Sequence, residues 1–145
     1  MNSLYKMFGT DKAAEKAGVW IDYGDVKFLI ARAGGANIAF AEAYKAKVKP
    51  FRRQIDMGTL SKAQDDQIMA ELYAESIIKS VEVKDEAGTW SKGVPTADGK
   101  VVAYSYDSVV TLLLDLPDMF ADLRAMATDT TKYLRQAEEA DTKNS

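Results

Sequence analysis

The chain has 145 residues, 47% of them hydrophobic, which suffices for one domain with its own core but not for two. Its 19 basic and 22 acidic residues leave a formal net charge of -3, so no global field draws it to nucleic acid or to an anionic membrane. With no cysteine and no histidine it has no thiol nucleophile, Cys/His zinc site, disulfide or histidine acid-base group, and an enzyme here would have to work with carboxylates, lysine or tyrosine.

The amino terminus, "MNSLYKMFGTDKAAEK", lacks the apolar core of a signal peptide, and no apolar run approaches the ~20 residues that cross a bilayer. The chain is therefore expected in the cytosol and not in a membrane. Residues 1–17 mix lysine, alanine and acids without an apolar period and read as a flexible segment or a short helix. The pattern changes at Gly18. In "GVWIDYGDVKFLIARAGG" Val19 and Ile21 alternate with Trp20 and Asp22, "YGD" supplies a turn, and Val26, Phe28 and Ile30 alternate again, which predicts a β-hairpin. A lone hairpin is marginal in water, so its apolar face must pack on the helices that follow.

Asn37 stands where an N-cap is needed for "IAFAEAYKAKVK", in which Phe40, Tyr44 and Val48 share a face. Pro50 interrupts this helix and Gly58 marks the next break. Ser61 is placed to cap a long helix, "KAQDDQIMAELYAESIIKS", with Asp65 and Asp66 near its positive end and Ile68, Met69, Leu72 and Tyr73 on the buried side. Between Val81 and Val102 the glycines and Pro95 predict a loop at about 82–102, with the strand-like ends "VEV" and "KVVAY" able to pair.

Ser105 or Asp107 caps "SVVTLLLDL", and Pro117 then starts a new helix, with Asp115 as its N-cap or Leu116 as the hinge. In the second helix Met119, Phe120, Leu123 and Ala127 share one side and Met126 lies on its edge, while Tyr133 and Leu134 are the only later large apolar residues. The expected organisation is a mainly α (α+β) chain: a helical domain over 18–137 with a small N-terminal β-hairpin, and a disordered tail at 138–145.

Two features invite a functional reading. The run "KAKVKPFRR" gathers Lys45, Lys47, Lys49, Arg52 and Arg53 around Phe51, and it is either a solvated basic face, a contact for an acidic protein surface, or a phosphate contact, the last disfavoured by the negative net charge. The stripe Met119, Phe120, Leu123 and Met126 is either ordinary core or an adaptable partner surface. The carboxylate pairs Asp65 with Asp66, Asp118 with Asp122, and Glu138 with Glu139 fit dipole and solubility roles rather than catalysis, because neighbouring side chains on a helix diverge and no calcium loop surrounds them. "ARAGGAN" has neither the G-x-G-x-x-G spacing nor a P-loop lysine and reads as a turn. No cofactor, metal or catalytic residue is expected.

The stretches "GVWIDYGDVKFLIARAGGAN", "YKAKVKPFRRQI", "AELYAESII" and "LLLDLPDMFADLRAMA", in this order from Gly18 onward, resemble the tail assembly chaperones of bacteriophages with long non-contractile tails. The segment "VKDEAGTWSKGVPTADGKVVAYS" departs from the pattern and carries nothing over. The resemblance implies a non-catalytic protein of the host cytoplasm that tends the tape measure protein before tail tube subunits polymerise, and that is not retained in the virion. It also implies the short product of a pair whose longer, frameshifted form engages the tail tube protein. From this sequence itself, and not from functional residues of the family, Met119, Phe120, Leu123 and Met126 are candidate contacts for the client or for self-association, and Lys47, Lys49, Arg52 and Arg53 for acidic stretches of the client. A small structural protein of the tail or head-tail connector is the rival reading.

Overall fold

The computed structural model describes residues 3–135. Two short helices come first, α1 (Ser3–Phe8) and α2 (Lys12–Ala17), the second started by the Asp11 carboxylate, which accepts from the Ala13 and Ala14 N–H groups. Strands β1 (Val19–Asp22) and β2 (Val26–Ile30) then pair antiparallel, with Val19 opposite Ile30 and Ile21 opposite Phe28. The alternation read from the sequence turns these four residues to the core. At the tip Asp22 accepts from the Gly24 N–H at 2.7 Å, and Gly24 takes the positive φ of 105° that a side chain would resist.

The helical layer follows: α3 (Ile38–Val48), a 3-10 turn (Lys49–Phe51), α4 (Arg52–Met57) and α5 (Lys62–Ser76). Pro50 lies inside the 3-10 turn, so it tightens the chain between α3 and α4 without breaking its course. Ser61 and Gln64 form a reciprocal capping box at the start of α5. Ser61→Ala is expected to cost ~1 kcal/mol of stability, and an unchanged melting temperature would deny the cap that role.

The expectation of a helical domain carrying only an N-terminal hairpin is overturned beyond α5. Strands β3 (Ile78–Lys84) and β4 (Trp90–Lys92) extend the hairpin into a four-stranded antiparallel sheet of order β1-β2-β3-β4, and β5 (Val94–Pro95) with β6 (Val101–Val102) forms a second, two-stranded one. "VEV" pairs with β2 and β4 and not with "KVVAY". The reason lies at Ser76, where α5 was expected to run on to Ser80. The Ser76 hydroxyl donates back to Leu72 O at 2.7 Å, and the Asn37 carboxamide donates to the Ser76 carbonyl at 3.1 Å. A carbonyl from the last turn is thus satisfied from outside the helix. The Ile77 carbonyl then accepts from Ala31 N–H at 2.8 Å, and Ile78 enters the sheet opposite Ile30. Asn37 is therefore not the side-chain N-cap expected of it; it makes no cap bond to α3 and joins the 31–37 turn to the end of α5.

Helices α6 (Tyr106–Asp115) and α7 (Pro117–Thr128) complete the layer, with Ser105 and Ser108 in a second capping box and Leu116 as the hinge between them. Proline at the first position of α7 needs no donor, so the break costs little. The core between sheet and helices is built on Phe28, Ile30, Leu72, Ile77, Val81 and Leu113. Tyr73 stands edge-on to both Phe40 and Phe120, with centroid distances of 6.0 and 5.2 Å. The second helix, expected to carry Tyr133 and Leu134, stops at Thr128. A 3-10 turn (Thr130–Tyr133) then swings Tyr133 inward, where its hydroxyl donates to Ile30 O at 3.1 Å with the residue wholly buried. The expected tail at 138–145 lies outside the described residues.

One buried charge anchors the amino-terminal segment to this body. Glu15 of α2 is 2% exposed, and its Oε2 accepts from the Ala36 N–H at 2.7 Å and from Arg32 Nη1 at 3.2 Å. Gly35 makes the approach possible, because a Cβ there would stand 1.8 Å from that oxygen. Burial opposes the Glu15 charge, but Thr10, the Ala36 N–H and Arg32 outweigh it and hold the carboxyl below its ordinary value of 4.5.

Candidate functional site

The two groups of residues singled out in the sequence occupy different environments. On α7, Phe120 and Leu123 are buried, 5% and 1% exposed, and Met119 and Met126 are half-buried against the same core. The Arg124 guanidinium covers the Phe120 ring at 4.5 Å. In the folded chain this stripe packs against the core.

The basic run divides. Lys47 is half-buried and neutralised: its Nζ lies 3.2 Å from Glu75, 3.8 Å from Glu71 and 3.4 Å from the Tyr106 hydroxyl. Burial depresses its ammonium, yet the bonds and charges of Glu75 and Tyr106 reverse that and raise its pKa above the ordinary lysine value. It is a strut between α3, α5 and α6. Lys49, Arg52 and Arg53, together with Lys45, are exposed and form no ion pair among the described residues.

Beside these cations the structure leaves apolar surface that the sequence did not single out. Tyr44 is 46% exposed, although its spacing with Phe40 and Val48 placed it on the buried face. Ile55 and Met57 of α4 are also exposed, and α4 buries no residue at all. Two open grooves lie between this α3–α4 arm and α5. One, of about 510 Å³, runs between Ala46, Pro50 and Phe51 and the Gln64, Gln67 and Ile68 side of α5. The other, of about 250 Å³, lies between Tyr44, Val48 and Ile55 and the Leu60, Ile68 and Met69 side. A separate apolar surface is α1, where Leu4, Tyr5, Met7 and Phe8 are all between 59% and 66% exposed. Its one sequence signal is a short segment with four large apolar residues in five positions.

Among the described residues no group of three or more acids could hold a metal ion, and no helix is long and apolar enough to cross a membrane. The acid pairs are dispersed: Asp66 pairs with Lys62 at 2.8 Å, and Asp122 accepts from the Tyr23 hydroxyl. The 31–37 turn is closed on the Glu15 carboxylate, which would repel a phosphate.

No curated protein and no solved structure matches this chain. A family model described as YdaY prophage protein matches residues 34–144, every described element from α3 onward, while the β1–β2 hairpin lies before the match. Since the match covers well over half of the sequence, the chain belongs to the YdaY prophage protein family and is phage-derived.

Proposed function

We propose that this YdaY-family protein is a tail assembly chaperone, which binds the phage tape measure protein in the host cytoplasm, performs no chemistry and leaves before the virion is complete. Its prophage family and its resemblance to chaperones of long non-contractile tails support the reading. The observation that carries it is apolar surface outside a complete core. Leu4, Tyr5, Met7 and Phe8 on α1, and Tyr44, Ile55 and Met57 on the α3–α4 arm, stay exposed while the sheet and helices are already packed. Exposed apolar patches rimmed by charge mark surfaces meant for other chains, and weak contacts of this kind gain through self-association. A longer, frameshifted form that engages the tail tube protein belongs to the same reading.

Co-expression with the tape measure protein of the same genome, followed by pull-down and light scattering, tests it. A soluble complex, with the chain missing from purified particles, is the expected result. No association, with the chain instead recovered in virions, would make it a structural protein of the tail or connector.

A further inference from the structure

The second groove is lined by Tyr44, Val48 and Ile55 of the same α3–α4 arm that carries the exposed cations. Lys45 and Lys49 stand at i and i+4 across the end of α3, and Arg52 follows at the first residue of α4, beyond the 3-10 turn, on the same arm as Tyr44 and Val48. Arg53 comes next. The acids Glu42 and Asp56 stand to either side in sequence, and four cations against two acids leave the exposed side chains of the arm with a net charge of +2 in a chain of -3. The groove alongside is floored by aliphatic and thioether groups, with Tyr44 as its single ring. That composition suits apolar side chains and offers a nucleic acid few faces to stack on.

We propose that this arm docks an amphipathic helix whose apolar face enters the Tyr44–Ile55–Met69 groove and whose acidic edge lies along Lys45, Lys49 and Arg52. Matching charges at helical spacing set the orientation of the guest. Asp65 on the α5 lip of the groove disfavours a second acidic edge, so the guest is acidic on one side only. The inference names the client chemistry for the chaperone reading and rests on it.

The test uses the full chain and a fluorescein-labelled amphipathic peptide of roughly 18 residues, leucine along one face and glutamate along one edge, beside a twin with lysine in place of each glutamate. Fluorescence anisotropy is expected to show binding of the acidic peptide, weakened by salt, and at least ~10-fold weaker binding of the lysine twin. Combined Lys45→Glu, Lys49→Glu and Arg52→Glu should invert that preference, and Ile55→Asp should cost ~10-fold for either peptide. These side chains are exposed, so unchanged circular dichroism melts are expected. Equal binding of the two peptides to the native chain, or reversal of the three charges without effect, would overturn the proposal. The whole tape measure protein, run in the same assay, separates the two readings. If it binds the native and charge-reversed chains alike, the docking surface is wrong and the chaperone reading stands. If the peptides discriminate as expected and the tape measure protein does not bind, the chaperone reading fails and the surface stands.

Discussion

Phe120→Ala is expected to destabilise the protein by ~3–5 kcal/mol, a large share of the ~5–15 kcal/mol that holds a domain together. The ring is 5% exposed, stands edge-on to Tyr73 at 5.2 Å and lies beneath the Arg124 guanidinium. Its removal leaves a cavity beside Tyr73 in a close-packed core that relaxes only in part. Urea denaturation measures the effect, as a lower midpoint at unchanged slope. The same experiment on Ile55→Ala should show a change within ~0.5 kcal/mol, because that side chain packs on no core. A Phe120→Ala loss below ~1 kcal/mol would mean that the stripe is not core and would return it to the list of partner surfaces.

Replacing Glu15 has the second largest expected effect. Glu15→Ala removes a 2% exposed carboxylate and leaves the Ala36 N–H and the part-buried Arg32 guanidinium without their acceptor, a loss of ~3 kcal/mol. The pH dependence has a definite sign. The folded pKa lies below the ordinary 4.5, so the ionised carboxylate contributes stability in full above that value and loses it as pH falls through the folded pKa. Glu15→Gln should therefore be less stable than the native chain near neutral pH, and the gap should narrow as both are titrated to about pH 3. A gap that stays constant over that range would show that the stabilisation does not come from the Glu15 charge. The same variants report on α1, because the α2 to 31–37 contact is part of what holds the amino-terminal helices, with their exposed apolar residues, to the body.

The proposed function places its weight on surface, and here the fold changes what the sequence suggested. The strongest apolar stripe of the sequence, on α7, is spent inside. The strongest basic run keeps four free cations but gives up Lys47 to Glu71 and Glu75. What remains for a partner is the exposed face of the α3–α4 arm and the exposed α1.

Local chemistry was legible from the sequence alone. The β1–β2 hairpin follows from alternation and a glycine turn, the starts of α5 and α6 from Ser61 and Ser105 as caps, and the restart at Pro117 from its fixed φ and missing donor. Each is decided within a few residues, by interactions the chain makes with its own neighbours. The absence of histidine and cysteine likewise narrowed the chemistry before any fold was known. Only the tertiary structure decided the rest. "ESIIKS" has a helical pattern up to Ser80, and it turns into β3 because Asn37, 39 residues earlier, takes the Ser76 carbonyl and β2 offers an open edge. The outer edge of β3 then draws β4 out of a glycine-rich stretch that reads as loop. Tyr44 and Phe120 both sit on apolar helical faces in the sequence, yet one is exposed and the other buried, because periodicity shows that a face exists while only the neighbouring elements determine whether it is covered.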